Sequence, residues 1–335
     1  MTDQPENPFQ AWVQLEQPRL GSRVVYATDE FFAAKERLIE TLPPVFIDAK
    51  YDEHGKWMDG WESRRRRTPG HDYCIIRLGI PGIVHGVDID TSYFTGNFPP
   101  TASIDACMSD EDVPDDEADW WALLPEVALQ GDAHHFRAIS NDKACTHLRL
   151  NIFPDGGLAR LRVYGEIRPD WEQVSASEVM DLFAIENGGR AVLCSDQHYG
   201  SKHNLNFPGR GINMGDGWET ARRRTPGNDW VILRLGHPGI IEKVEIDTAH
   251  FKGNYPDRAE LRAAMIEDEK DLETLSEDWP ILLPESKLGP DSQHLFGDEL
   301  NDVGAVSHVR LNIFPDGGVS RVRLFGKIAR GAEKS

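Results

Sequence analysis

The chain contains one sequence twice, and this repeat limits what it can fold into. Residues 60–97 align without a gap to residues 217–254, and both segments join a run of arginines to "TPG" and then to "RLG". Farther along, "HLRLNIFPDGG" from His147 aligns with "HVRLNIFPDGG" from His308. Self-similarity over such a length indicates two domains of ordinary size, each with its own core.

The repeat also sets the predicted domain boundaries. We expect one repeat over residues 16–168, a linker over residues 169–185 and a second repeat over residues 186–330. The linker contains a short helix-like pattern, "SASEVMDLFAIE", and is expected to be ordered. The middle loop of the second copy is four residues longer, because 308 − 147 exceeds 217 − 60 by that number.

Residue patterns within each copy predict strands. "DYCIIRLG" and "DWVILRLG" are apolar and rich in β-branched side chains, and "IVHGVDIDT" alternates apolar with polar residues. "PDGG" is typical of a turn, and we expect it to join two strands in a hairpin that closes each copy. The predicted fold class is therefore all-β, with two tandem jelly-roll β-sandwich domains.

Composition excludes several classes of partner. The chain has 36 lysines and arginines against 56 aspartates and glutamates, a net charge of −20, which argues against binding nucleic acid. No apolar run is long enough to span a bilayer, and "MTDQPENPFQ" lacks the blocks of a signal peptide, so we expect no membrane association and a cytoplasmic location. The four cysteines show no CxxC spacing and are expected to be free thiols, most of them buried.

Four motifs in a fixed order carry a resemblance to a known family. "MDGWESRRRRTPGHDYCIIRLG", "GVDIDTSYFTGNFPP", "THLRLNIFPDGG" and "RLRVYG" closely resemble the allantoicase family, and the second copy repeats the set. The resemblance extends from about Val24 to Ile328. It implies tandem jelly rolls similar in fold to galactose-binding domains, hydrolysis of allantoate to ureidoglycolate and urea in allantoin and purine degradation, and a homo-oligomer.

This chemistry indicates which side chains to consider. Allantoate carries one carboxylate and two ureido groups on a single carbon, so its hydrolysis requires a cation for the carboxylate, an acid for the departing nitrogen and a base. Arginine suits the first role because its planar guanidinium meets a carboxylate with two parallel hydrogen bonds. Arg65 and Arg222, at equivalent positions of the two runs, are therefore the predicted substrate-binding clamps; the alternative is that they are surface arginines paired with carboxylates.

Acidic residues beside the arginines are the predicted acids and bases. Glu62 and Asp72 in the first copy recur as Glu219 and Asp229 in the second. Each could take part in catalysis with a shifted pKa, or it could be the ion-pair partner that holds an arginine. His71 is aligned with an asparagine and is either a proton shuttle or an ordinary polar residue that opens a strand.

Two further pairs of residues are predicted to contact substrate from loops. Asp29 and Lys35 align with Asp196 and Lys202, and loops at one end of a sandwich often carry ligands. Asp29 also resembles a helix N-cap, which is the structural alternative. Because the first copy has the denser cluster of charges, it is expected to retain more activity than the second.

The remaining classes of site have weak support. The adjacent His134 and His135 point apart on an extended chain, and no metal-binding spacing is present, so the cofactor stays open, a loosely bound divalent cation included. The sequence contains no GxSxG motif, which would indicate a serine nucleophile. The rival to a hydrolase is a non-catalytic tandem sandwich that binds a carbohydrate-type ligand.

Overall fold

The computed structural model describes residues 7–169, 171–172 and 174–330. The chain divides into two compact units, Met1–Arg168 and Pro169–Ser335, and nearly all of the regular secondary structure in each is β-strand. The expectation of two tandem all-β jelly-roll domains is confirmed.

The strands of the first unit, in chain order, are Val13–Gln14 (β1), Arg23–Ala27 (β2), Tyr51–Asp52 (β3), Gly55–Lys56 (β4), Trp61–Glu62 (β5), Asp72–Asp90 (β6), Thr101–Cys107 (β7), Trp121–Ala128 (β8), His134–Ala138 (β9), Ala144–Phe153 (β10), Gly157–Leu158 (β11) and Arg160–Ile167 (β12). Short 3-10 helices cover Pro18–Leu20 and Lys35–Ile39.

The strands of the second unit are Met180–Asp181 (β13), Arg190–Cys194 (β14), Trp218–Glu219 (β15), Asp229–Asp247 (β16), Arg258–Ala264 (β17), Ile281–Lys287 (β18), Gln293–Phe296 (β19), Val306–Phe314 (β20), Gly318–Val319 (β21) and Arg321–Ile328 (β22). Its helical turns are Ile185–Asn187, Lys202–Asn206, Met214–Asp216, Leu272–Leu275 (α1) and Ser276–Asp278, of which α1 is α-helical and the others are 3-10 helices.

One long strand organises each unit. The first half of β6 pairs with β2 and β10, and its second half pairs with β9 and β12. β10 continues to β7 and β8, whereas β12 continues to β1. β16 is used in the same way in the second unit, between β14 and β20 and then between β19 and β22. The long strand therefore belongs to both layers of its sandwich.

The predicted closing hairpin is wrong. Within the described chain β10 and β12 do not pair with each other, because each adds to a different half of β6. The "PDGG" turn between them leads instead from one layer to the other. On the way, β11 pairs with β5, which places "PDGG" against the "GWE" of the arginine motif.

The apolar core lies between the two layers. In the second unit it combines side chains of both halves of β16, such as Leu233 and Ile246, with Leu311 and Leu324 from the neighbouring strands. The tryptophan of each "GWE" motif, Trp61 or Trp218, is fully buried. Burying such a large side chain fixes the chain directly before the arginines.

The linker region differs from its prediction in local structure. "SASEVMDLFAIE" forms no α-helix: Met180–Asp181 is a strand paired with β22, and Leu182 and Phe183 are buried in the second core. Those residues belong to the second unit in the structure. Two of the four additional residues of the second middle loop precede β18, in the segment that contains α1, and the other two lie between β19 and β20.

Two expectations from the composition concern membrane-spanning segments and cysteines. No helix in the described ranges is long and apolar enough to cross a membrane. All four cysteines are free; Cys74, Cys107 and Cys145 are buried and Cys194 is half-buried, as predicted.

Candidate active site

The middle arginine of each run holds its own loop closed. The Nη1 atom of Arg66 lies 2.6 Å from the Oδ1 atom of Asp72, and Arg223 and Asp229 are joined in the same way at 2.8 Å. Both aspartates are almost fully buried and also accept a hydroxyl hydrogen bond, from Thr28 or Ser195. This geometry agrees with the ion-pair interpretation of Asp72 and Asp229.

The glycine of "TPG" gives the guanidinium its space. Gly70 and Gly227 have φ angles of +116° and +121°, and a Cβ at either position would lie within 3.2 Å of an arginine nitrogen. Only glycine adopts such a backbone without strain while leaving that room. The motif "RRRTPG" is therefore a loop closed by one internal ion pair.

A second anchor ties the arginine loop to the "PDGG" turn. The backbone N–H of Arg66 donates to Asp155 at 2.7 Å, and that of Arg223 donates to Asp316 at 2.9 Å. Both acceptors lie in "PDGG", which was predicted only as a turn. The repetition of its aspartate in both copies was the available signal.

Asp29 and Asp196 anchor the opposite side of the loop. Asp29 accepts hydrogen bonds from the backbone N–H groups of Phe31 and Arg64, and its Oδ2 atom lies 2.6 Å from Arg64. Burial raises the pKa of Asp29, but these hydrogen bonds outweigh it and leave the pKa below its ordinary value. Asp196 accepts the backbone N–H of Ala221 at 2.5 Å. Both carboxylates therefore have partners within the protein.

The two equivalent lysines have different surroundings. Lys35 forms ion pairs with Glu30 at 3.2 Å and Glu36 at 2.7 Å. Lys202 is 7 % exposed, and its ammonium group has neither a hydrogen bond nor an ion pair within the described residues. Burial lowers the pKa of Lys202. The carboxylates that neutralise Lys35 are replaced in the second copy by Gln197 and His203.

The outer arginines of each run remain available to a ligand. Arg65 and Arg67 in the first unit, and Arg222 and Arg224 in the second, are exposed and form no ion pair or hydrogen bond in the described part of the chain. Most other arginines of the described chain, such as Arg66, Arg149 and Arg160, are paired with a carboxylate, whereas these four are not. These side chains can therefore receive an anion from solution.

Glu62 and Glu219 each lie beside an asparagine. The Nδ2 atom of Asn97 donates to Glu62 Oε1 at 2.7 Å, and Asn254 donates to Glu219 in the same way. Burial raises the pKa of Glu62, against the lowering effect of this hydrogen bond. The asparagines were not among the predicted site residues, although "GN" recurs in both copies.

A cavity of about 440 Å³ brings some of these residues together in the second unit. Its volume is within the range of about 300–1,000 Å³ that is usual for small-molecule sites. Arg222 and Glu219 both line it. The full lining is Tyr199, Glu219, Thr220, Arg222, Gly253, Asn254, Tyr255, Asp257, Pro315, Asp316 and Gly317.

The corresponding arginine of the first unit lines a different kind of cavity. This space of about 410 Å³ is formed by Thr28, Asp29, Arg64, Arg65, Arg66, Arg67, Thr68 and Asp72. Glu62 is not part of its lining. The predicted clamp and the predicted acid–base glutamate thus share one cavity in the second unit, but not this cavity of the first.

His71 occupies a structural position. Its Nε2 atom lies 3.2 Å from Asn151 Oδ1, and its ring packs 4.5 Å from the ring of Phe153. In the second unit Asn228 makes the equivalent contact with Asn312 at 3.2 Å. A contact that an asparagine reproduces needs no titratable ring, which favours the structural interpretation of His71.

The adjacent histidines also have internal partners. His134 Nδ1 lies 2.7 Å from Asp88, and His135 Nδ1 lies 2.8 Å from the carbonyl oxygen of Ile89. The hydrogen bond that His134 donates to Asp88 raises the pKa of His134. Across the described residues no three His, Cys, Asp or Glu side chains form a group suited to a metal ion.

The fold and the cavity define a tandem β-sandwich protein with a polar pocket lined by one arginine and three carboxylates. A profile described as the allantoicase repeat matches residues 13–168 and 180–329. A probable allantoicase 2 of Burkholderia pseudomallei is 57 % identical over 320 residues, 95 % of each chain. A probable allantoicase of Photobacterium profundum is 56 % identical, over 95 % of this chain and 97 % of its own.

Solved structures agree with these relatives. The crystal structure of allantoicase from Saccharomyces cerevisiae aligns with a TM-score of 0.80 and 36 % identity, covering 94 % of this chain and 92 % of its own. The chain belongs to the allantoicase family. The resemblance seen in the sequence motifs is thereby confirmed, and the chain is a hydrolase and not the non-catalytic rival.

Proposed function

We propose that this chain hydrolyses allantoate to ureidoglycolate and urea, and that the cavity of the second unit is where the reaction occurs. The observation that carries the site assignment is that Arg222 and Glu219 line the same cavity. Arg222 has no counter-ion among the residues that the structure describes, and Glu219 is oriented by Asn254.

The arginine in the cavity lining, Arg222, matches the carboxylate of allantoate. The guanidinium of Arg222 offers two parallel N–H groups to the carboxylate. Glu219 accepts a hydrogen bond from a ureido N–H group, while the anchoring contacts of Arg223 keep the loop in place. Five of the predicted site residues either position the loops or have no role in contact with substrate, because most of them have partners within the protein. They are Asp29, Lys35, Asp196, Asp72 and Asp229.

The proposed chemistry moves one proton between the two ureido groups. Glu219 removes the N–H proton of one ureido nitrogen, whose electron pair forms a C=N bond as the other C–N bond breaks. The departing nitrogen receives that proton and leaves as urea. Water then adds to the C=N bond, with hydroxide on carbon and a proton on nitrogen, to give ureidoglycolate. Arg222 holds the carboxylate throughout, which fixes the reacting carbon beside Glu219.

The first unit keeps part of this arrangement. Glu62 and Asn97 form the same pair, and Arg65 is free, but Arg65 lines a cavity with Asp29 and Asp72. We therefore place turnover in the second unit, although the charge density of the sequence favoured the first. The catalytic roles of Glu62 and His71 and the substrate-binding role of Arg65 stay predictions of the sequence.

The test is urea release from allantoate by the purified protein. Arg222→Ala is expected to raise KM for allantoate by about tenfold or more, since a charged bidentate contact contributes about 1.5–3 kcal/mol. Arg224→Ala is the matched control, because it removes an equally exposed arginine that does not line the cavity. Equal losses in both variants would place the substrate elsewhere.

Three further properties are proposed and can be measured on the same sample. A homo-oligomer is expected from the family resemblance and is tested by light scattering during gel filtration. A cytoplasmic location is tested by cell fractionation. Dependence on a divalent cation, which the sequence leaves open, is tested by assaying urea release with and without a chelator.

A further inference from the structure

The two units differ at two aromatic positions outside the arginine motif. Tyr199 and Tyr255 both line the cavity of the second unit. The equivalent residues of the first unit are Phe32 and Phe98. The backbone N–H of Tyr199 donates to the carbonyl oxygen of Glu219 at 3.1 Å, and that of Phe32 donates to Glu62 at 3.2 Å, so the positions correspond in space as well as in sequence.

The second pair also corresponds. Tyr255 directly follows Asn254, which holds Glu219, and Phe98 directly follows Asn97, which holds Glu62. Each therefore flanks the same glutamate–asparagine pair. The second unit therefore has tyrosine at two positions beside this pair where the first unit has phenylalanine.

The tyrosine hydroxyls have no task within the protein. Neither takes part in a hydrogen bond within the described chain, and Tyr199 is 65 % exposed. A phenol that only fills space does not need its oxygen, since phenylalanine does so in the first unit. A hydroxyl next to a cavity that also holds a free guanidinium is positioned to bind a polar ligand.

We propose that Tyr199 and Tyr255 are specificity-determining residues that bind the ureido groups of the substrate. This inference rests on the proposed function of the second cavity. The carboxylate of allantoate is satisfied by Arg222 and one N–H group by Glu219, which leaves the ureido carbonyl oxygens in need of donors. Two phenolic O–H groups supply them. A site built to hydrogen-bond a ligand discriminates strongly against a ligand that lacks the group.

The test compares Tyr199→Phe/Tyr255→Phe with the unmodified protein. Each change removes a single oxygen and gives the residue found in the first unit. The double variant is expected to raise KM for allantoate by about tenfold, with an unchanged melting temperature, because two neutral hydrogen bonds are lost. Tyr93→Phe, at an exposed tyrosine that does not line the cavity, is the matched control and should leave KM unchanged.

Two inhibitors give a readout that does not depend on turnover of the variant. N-Carbamoylglycine has one carboxylate and one ureido group, whereas acetate has the carboxylate alone. The unmodified protein should bind N-carbamoylglycine more tightly than acetate, and the double variant should lose most of that difference while acetate inhibition stays the same. If the double variant has a lowered melting temperature, Tyr199→Phe alone carries the test, because its side chain is largely exposed.

The outcomes separate this inference from the proposed function. A protein that releases urea, responds to Arg222→Ala and is unaffected by Tyr→Phe would overturn the tyrosine inference alone. A protein that releases no urea, or that is indifferent to Arg222→Ala, would overturn the proposed site. Equal weakening of both inhibitors in the double variant would also contradict ureido recognition.

Discussion

Arg223 and Asp229 close the loop between them with an ion pair of 2.8 Å, and Arg222, directly before this loop, lines the cavity. Three consecutive arginines thus have three different environments. The middle one is tied to a buried aspartate, the first lines the cavity and the third is exposed. The ion pair therefore acts as a scaffold for the residue beside it.

Removing this scaffold should reduce stability. Arg223→Ala would leave the carboxylate of Asp229, which is almost fully buried, with only the Ser195 hydroxyl as a side-chain partner. Breaking such a pair from one side typically costs about 3–5 kcal/mol, and the partial exposure of Arg223 places the expected value near the lower end. Thermal and urea denaturation measure it. Arg224→Ala should change little, and an equal effect of both variants would contradict the scaffold role.

The sequence predicted the repeat, the strands and the all-β fold because these depend on local patterns. Alternation in "IVHGVDIDT" and the apolar "DYCIIRLG" describe strands wherever they are placed. The strands with which β10 and β12 pair could not be predicted from local patterns. Both strands pair with β6, and the half of β6 that each one joins depends on contacts between residues far apart in the chain.

The site was predicted in its residue types but not in its division of roles. Arg222, Arg223 and Arg224 are chemically identical, and only the distant Asp229 and Asp316 distinguish the structural arginine from the free ones. Asn97 and Asn254 were missed because an amide that orients a carboxylate has no characteristic spacing. Their recurrence after a glycine in both copies was the one local signal.

The two glutamates should differ in their effect on catalysis. Glu219→Gln removes the proposed base and is expected to lower kcat for urea release by about 10²–10⁴-fold. Glu62→Gln, the same change at the equivalent residue of the first unit, should leave most activity. Steady-state kinetics on both variants, with circular dichroism to confirm folding, measure this. The reverse order would return the active site to the first unit, and equal losses would require both.

Glu16 should make the stability of the first unit depend on pH. Its side chain is fully buried, and burial raises its pKa to about 6 from 4.5, despite the nearby Arg162. Because the folded state then holds the proton more tightly than the unfolded state, this contribution to stability is present below pH 4.5 and is lost as the pH rises through about 6.

A glutamine at position 16 cannot lose a proton and removes that dependence. Between pH 4.5 and 7 the stability of Glu16→Gln should therefore rise relative to the unmodified protein by about 2 kcal/mol. Urea denaturation across this range measures the difference. Glu117→Gln, at an exposed glutamate of the same unit, should show no such trend. A parallel pH dependence in Glu16→Gln and the unmodified protein would mean that Glu16 is not the titrating group.

Lys202 should be a site where a charge reduces stability. Its side chain is buried, its ammonium group has no counter-ion among the described residues, and burial lowers its pKa, so folding disfavours the charged form. Lys202→Met keeps a long side chain and removes the buried polar group, which should raise the melting temperature and stabilise the second unit by about 1 kcal/mol or more.

Lys35→Met is the matched control. It removes two largely exposed ion pairs, each typically worth less than about 1 kcal/mol, and should lower the melting temperature slightly. Calorimetry on both variants measures the two opposite signs. Urea release should be unchanged in Lys202→Met, because Lys202 does not line the described cavity. A raised melting temperature together with a large fall in kcat would instead show that the buried amine is retained for the reaction, as the sequence first indicated.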